Sequence, residues 1–265
     1  MIPLKDDVPS QTVPFVTHAL VGLNVLVFLY QLSLQMGLEP GAARAAEAFV
    51  TEFGLVPCRL TGQCRVPEDV PPPILTIFSS MFLHGGLLHL VGNMLYLWIF
   101  GNNVEDTLGH ARFAVFYLAS GVAAAAAQTL VNPVSGIPMV GASGAVSGVL
   151  GAYFLLFPYA TVLTLVTFGF FWRFIHLPAM VVLGLWILLQ FFSGYLSLSV
   201  ASGAESGGVA FFAHIGGFVA GMGLLFVLRP RRTMKSWSSF HALASRSSAT
   251  MPARPTGKRS VSTER

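Results

Sequence analysis

Charge is what this sequence has least of. Only 10% of its 265 residues are Asp, Glu, Lys or Arg, where a soluble domain of this length carries about a quarter. With 54% hydrophobic residues and a mean hydropathy of +0.70, a soluble globular protein is excluded and a polytopic membrane protein is expected. The few charges are also unevenly spread. Nine of the fifteen Lys and Arg lie from Arg229 onward, in a tail that contains Ser, Thr and Pro and few apolar residues. That tail, residues 229–265, reads as disordered and cytoplasmic. The pI near 9.3 therefore does not point to nucleic acid, because the basic residues do not line a folded surface. No cleavable leader is expected: Lys5 is followed by Asp6 and Asp7, and the first apolar run is long and has no small-residue cleavage site.

Cysteine is almost as scarce. Cys58 and Cys64 are the two in the chain, six apart in one polar loop. A metal site would need further ligands that the sequence does not offer, so no metal and no cofactor is expected. A disulfide is open to them if the loop faces an oxidising compartment, and two unlinked thiols are equally compatible with the sequence.

What is abundant is apolar sequence in long runs. A spanning helix takes about 20 apolar residues, with a range of roughly 17–25. Six runs qualify: 16–34, 77–100, 113–131, 142–157, 177–192 and 209–228. The expected fold is all-α, a polytopic membrane protein of six transmembrane helices. The N-terminal segment 1–15 precedes a membrane domain over 16–228, with the basic tail after it. The connection after the fourth run is mixed in character and holds Trp172 and Arg173. No transporter-type internal repeat is visible. Six spans put both termini on one side, together with Lys5, Arg112, Arg173 and the nine tail cations; Arg44, Arg59 and Arg65 lie on the other. The excess of basic residues makes the termini cytoplasmic.

This parity matters for chemistry. Runs two, four and six enter from the outer side, and His89, Ser143 and His214 all lie in the outer parts of theirs. Gly217 and Gly221 follow His214 at i+3 and i+7, on the same helix face, and Gly144, Gly148 and Gly151 form a stripe beside Ser143. Two glycine faces, each with one reactive side chain, suit close packing. The expectation is a hydrogen-bonded Ser143/His214 pair in which the imidazole takes the serine proton as the hydroxyl attacks a carbonyl. No acid in the apolar runs is placed to orient the histidine, so a dyad is expected rather than a triad. His89 and Asn93, i and i+4 on run two, share a face and can donate hydrogen bonds. The Ser143 amide N–H, at a helix N-terminus, is another donor. These three suit an oxyanion. Each residue alone has a plainer reading: a membrane serine usually bonds back to its own helix, and a glycine stripe usually serves packing. Glu105 and Asp106 read as capping or tethering a turn. His84 reads as interfacial or supportive, and His18, His110, His176 and His241 receive no role.

At these positions the sequence closely resembles the rhomboid family of intramembrane serine proteases. The resemblance rests on His84-x4-His89-x3-Asn93, on Gly141-Ala142-Ser143-Gly144, and on Ala213-His214-x2-Gly217-x3-Gly221, and covers about residues 15–228. It implies Ser143 as nucleophile and His214 as general base. It implies His89, Asn93 and the Ser143 N–H as oxyanion stabilisers. It further implies a structured, partly embedded loop between spans one and two. Substrates would be single-span membrane proteins entering sideways from the lipid bilayer, near spans two and five. The chain departs from some members in having no Trp in that first loop. It also has Ser147 where an aromatic ring would stack on the histidine. An intramembrane serine endopeptidase is the expected function, in a bacterial inner membrane; a non-catalytic rhomboid-like protein that binds membrane clients is the alternative.

Overall fold

The computed structural model describes residues 1–37, 42–68, 70–168, 171–200 and 209–230. The elements in chain order are β1 (Ile2–Asp6), α1 (Phe15–Gln35), α2 (Ala42–Phe53), α3 (Pro57–Leu60), α4 (Pro73–Ser79), a 3-10 turn (Ser80–Phe82), α5 (Leu87–Leu108), α6 (His110–Val131), α7 (Ser143–Leu156), β2 (Thr161–Phe168), β3 (Phe171–Pro178), α8 (Ala179–Val200) and α9 (Phe211–Leu228). The chain divides into a unit Met1–Leu228 and a second, Arg229–Arg265. Apart from 229 and 230 the second unit lies outside the described residues, and so does the expectation of a disordered cytoplasmic tail.

The first helix shows why this fold belongs in lipid. Its buried residues are Thr17, Asn24 and Gln31, a polar stripe with one member every seven residues. Leu23, Leu26, Leu29 and Tyr30 point outward and are exposed. A soluble helix would be turned the other way. Here the polar groups hydrogen-bond inside while the apolar face is left for acyl chains. Glu105, fully buried, accepts the Val16 and Thr17 N–H groups at 2.9 and 2.8 Å and the Thr17 hydroxyl at 2.7 Å. It thereby satisfies donors that the start of a helix leaves unpaired. At the other end of α1, Gln31 and His84 exchange two bonds, Nε2 to the His84 carbonyl at 3.2 Å and the His84 N–H to Oε1 at 3.0 Å.

Helix α7 is buried around nearly its whole circumference, as befits a helix apolar on all sides. Its 14 residues span about 21 Å at 1.5 Å per residue. It packs on α9 backbone to backbone. A Cβ on Gly217 would collide with the Gly144 carbonyl oxygen, one on Gly221 with the Gly148 carbonyl, and one on Gly151 with the Phe218 carbonyl. The two glycine stripes face each other as the sequence suggests, and the contact is tighter than any side chain permits.

Among the described residues, four helices are long and apolar enough to cross a membrane: α1, α6, α8 over Ala179–Leu198, and α9. The expected second span, 77–100, is not one straight helix. Pro73–Phe82 and Leu87–Leu108 form a pair bent by 82°, a fifth candidate span, and α7 is a shorter apolar helix. The break falls at Gly85-Gly86, where two residues without side chains let the backbone turn and Gly86 becomes the N-cap of α5.

The protein is mostly helical but not all-α. β1, β2 and β3 form an antiparallel sheet in that order. Residues 1–15 thus contribute a strand, and the mixed connection around Trp172 and Arg173 is a β-hairpin that leads straight into α8. Asp6 at the end of β1 accepts the Tyr153 hydroxyl and the Asn103 amide, each at 2.6 Å, tying the strand to α7 and α5. Burial raises the Asp6 carboxyl above its ordinary range, and these donors pull it back only in part.

Candidate active site

The loop ahead of Ser143 is strapped down from one side. Leu55 and Met139 pair backbone to backbone, at 3.1 and 2.7 Å. The Cys58 N–H donates to the Ser135 carbonyl at 3.0 Å, and Thr61 Oγ1 to the Pro133 carbonyl at 2.7 Å. Cys58 and Cys64 are joined in a disulfide, which settles the alternative left open by the sequence. At the end of this loop the Gly141 N–H donates to the Ser80 carbonyl at 2.8 Å. Gly141 has φ +127°, a conformation that favours glycine. From there the chain enters α7 with Ser143 as its first helical residue.

Ser143 Oγ lies 2.8 Å from His214 Nε2. His214, in the first turn of α9, is buried, and the helix start is fixed by the Ala213 N–H donating to Gln128 Oε1 of α6 at 3.2 Å. The other ring nitrogen, Nδ1, lies 2.8 Å from Gln190 Oε1 on α8. An amide oxygen can only accept, so Nδ1 carries the proton and donates. Nε2 is then left with its lone pair facing the Ser143 hydroxyl, which donates to it. This is the tautomer that a proton acceptor for the hydroxyl requires.

Gln190 was not singled out from the sequence, where one Gln in an apolar run carries no motif. Nor was Trp186, one turn earlier on α8, whose ring centroid lies 5.8 Å from that of His214 at a tilt of 36°. Together they flank the imidazole where some family members use an aromatic on α7. Ser147 stands there instead, and its hydroxyl donates to the Ser143 carbonyl at 2.6 Å, a local bond back to its own helix.

His89 is in the first turn of α5. The Gly85 N–H donates to its Nδ1 at 3.4 Å, which leaves the proton of the neutral ring on Nε2. That Nε2 faces the serine loop: a Cβ built on Gly141 would lie 2.8 Å from it and 3.5 Å from Ser143 Oγ. The imidazole edge and the hydroxyl therefore border one small space. Asn93 follows one turn later, buried, and its Nδ2 has no hydrogen-bond partner among the described residues. His84 packs edge-on against His89 with centroids 5.2 Å apart, a supportive place. Beside Ser143 a cavity of about 40 Å³ is lined by Met81, Gly121, Ala125, Met139, Gly144 and Ala210, among others.

Of the remaining histidines, His241 lies outside the described residues and the other three lie away from this site. His18 stacks on Trp98 at 5.0 Å, His110 Nδ1 lies 2.6 Å from Glu105, and His176 is exposed on β3. Glu105 and Asp106 tether the chain before and at the start of α1, Asp106 accepting the Gln11 and Thr12 N–H groups at 2.7 and 3.0 Å. Among the described residues, no group of three or more His, Cys, Asp or Glu is placed to hold a metal ion.

Three helix N-termini, those of α5, α7 and α9, thus bring an imidazole, a hydroxyl and a second imidazole together. The profile of the Rhomboid domain matches residues 72–231, more than half of the chain. Rhomboid protein 1, mitochondrial, of Saccharomyces cerevisiae is 32% identical over 154 residues, 56% of this chain and 38% of that protein. RHOMBOID-like protein 5 of Arabidopsis thaliana is 32% identical over 157 residues, 58% of this chain and 45% of that protein. Rhomboid protease GluP of Bacillus subtilis is 41% identical over 76 residues, 29% of this chain and 14% of that protein. The chain covers less than half the length of each of these relatives. It is an integral membrane protein and belongs to the rhomboid family.

Proposed function

We propose that the chain is an intramembrane serine endopeptidase, with Ser143 as nucleophile and His214 as general base. The observation that carries this reading is the 2.8 Å approach of Ser143 Oγ to His214 Nε2, together with the tautomer that Gln190 imposes. In the first half-reaction Oγ bonds to the carbonyl carbon of the scissile peptide while its proton passes to Nε2. The carbonyl oxygen becomes an oxyanion that faces His89 Nε2–H, the Asn93 amide and the Ser143 N–H. The partial positive charge at the start of α7 adds to their effect. Collapse of the intermediate breaks the C–N bond, and His214 returns the proton to the departing amine. A water molecule, deprotonated by His214, then attacks the acyl ester and releases Ser143.

The reading extends to topology. We count six spans, taking the bent pair as the second and the short α7 as the fourth, with both termini on the cytoplasmic side where the basic residues lie. Ser143 then lies on the floor of a recess below the outer surface. Substrates are single-span membrane proteins that reach it from the bilayer, unwound at the cleavage point because a helical amide is shielded by its own hydrogen bonding. The small cavity beside Ser143 supports a small side chain next to the cut. The relatives come from mitochondria, plants and Bacillus and so do not single out a bacterial inner membrane; the compact six-span body is the support for that location.

The experiment is cleavage of a panel of single-span reporters by the full chain in liposomes, with products mapped by mass. Wild type should cleave, and Ser143→Ala and His214→Ala should not while keeping the melting temperature of wild type. A serine-reactive phosphonate should label wild type and not Ser143→Ala. Cleavage by Ser143→Ala at the wild-type rate would overturn the reading. Absence of labelling in a folded wild type would favour a non-catalytic, client-binding protein.

A further inference from the structure

The β2–β3 hairpin takes no part in the chemistry above, and its composition asks for an explanation. Phe171, Trp172 and Phe174 are 78%, 65% and 55% exposed. Trp172 and Phe174 lie on one face of β3 with ring centroids 5.8 Å apart. Only the base of the hairpin is supported by the rest of the fold: β1 pairs with β2 over Val162 to Leu165, and Val162 and Thr164 are buried there. Beyond that, among the described residues, 166–168 and 171–173 pair only with each other. A two-stranded ribbon with both faces open is marginal in water, and one carrying three large exposed aromatic side chains is more so.

We infer that this hairpin is an interfacial anchor that lays its aromatic side chains into the anionic headgroup layer of the leaflet on the N-terminal side of the protein. Three observations fix the occupant. First, β3 runs without a break into the spanning helix α8 at Pro178 and Ala179, so the hairpin is continuous with the lipid-facing surface. Second, β3 is an edge strand. Its outer row of backbone N–H and C=O groups must meet water or polar headgroups, which excludes the hydrocarbon layer. Trp, with an apolar ring and a polar N–H, is an ordinary resident of that boundary, and Trp172 is flanked there by the exposed Phe171 and Phe174. Third, residues 161–178 include Arg173 and His176 and no Asp or Glu. On the adjoining strand Lys5 is followed by Asp6, which bonds to Tyr153 and Asn103, and then by Asp7, which accepts the Thr161 N–H at the foot of the hairpin. The part of the hairpin beyond these carboxylates carries Arg173 and no acid, a charge that complements an anionic leaflet.

The test uses the full chain in lipid nanodiscs. Subtracting the emission of Trp172→Phe from that of wild type isolates Trp172 from the other tryptophans. Lipids brominated near the headgroup should quench it more than lipids brominated near the chain end. Stronger quenching by the deep label would place the hairpin in hydrocarbon. No quenching by either would place it in water or under a protein partner. Each of these overturns the inference. Backbone hydrogen exchange provides the second arm. Adding phosphatidylglycerol to phosphatidylcholine discs should raise the protection of residues 166–167 and 172–174 about fivefold, the factor one basic side chain confers at an anionic surface. Arg173→Glu should lose that rise while melting like wild type in neutral discs. Equal protection of wild type in both lipids would overturn the anionic preference. None of these readings depends on proteolytic activity.

Discussion

The Gln190 amide oxygen lies 2.8 Å from His214 Nδ1, on the side of the ring opposite Ser143. In the mechanism proposed above, this neutral amide holds ring and tautomer as the carboxylate of a Ser-His-Asp triad does, without bringing a charge into the membrane.

If that bond positions the base, Gln190→Leu should lower kcat roughly ten- to hundredfold, less than the ~10⁴ seen when a triad tautomer is set wrongly. Gln190→Glu should move the acidic limb of the kcat/KM profile to higher pH, because a carboxylate at Nδ1 favours the imidazolium form. Full activity in the Leu variant with an unmoved limb in the Glu variant would remove Gln190 from the site.

His89 should act on developing charge and not on the bound substrate. His89→Ala is expected to lower kcat about 10²–10³-fold, the cost of one oxyanion donor, with KM little changed. A raised KM with intact kcat would instead mark it as a ground-state contact.

The α7–α9 contact predicts opposite outcomes for two glycines. Gly217→Ala drives a methyl into the Gly144 carbonyl and should destabilise the fold by about 3 kcal/mol, the upper range for overpacking. Gly92 on α5 has nothing within 4 Å of a Cβ built there, so Gly92→Ala should be neutral or stabilising by up to about 1 kcal/mol through helix propensity. Thermal unfolding in one detergent compares them directly.

Asp6 gives a pH dependence with a definite sign. Its folded pKa is raised by burial, so in the window above the ordinary carboxylate value the folded chain binds more protons than the unfolded one. Its contribution to stability is full at pH below the unfolded value and is lost as pH rises through the folded value. The melting temperature of wild type relative to Asp6→Asn should therefore rise on going from neutral pH toward about 4. A difference independent of pH would mean that Asp6 does not change its protonation there.

The Ser143 and His214 pairing was legible because glycine stripes and reactive side chains recur at helical spacing. Gln190 and Trp186 were not, since a lone Gln or Trp in an apolar run has many partners open to it and only tertiary packing selects one. The turn at Gly85-Gly86 was hidden because hydropathy averages over a break that two small residues create. The sheet was missed for a related reason. Thr161–Phe168 is apolar on both faces in its sequence, which period alone does not separate from a helix segment, and its partner strand β1 lies some 155 residues away.

Thr17 and Gln31 are fourteen residues apart on α1, about 21 Å along its axis, and each is bonded to a different end of the neighbouring bundle. A helix so pinned works as a gauge rod. Slipping it by one turn would orphan Glu105 at one face and the His84 backbone at the other. His84, whose ring rests against His89, thus has its backbone held by the same helix that Glu105 anchors at the far end.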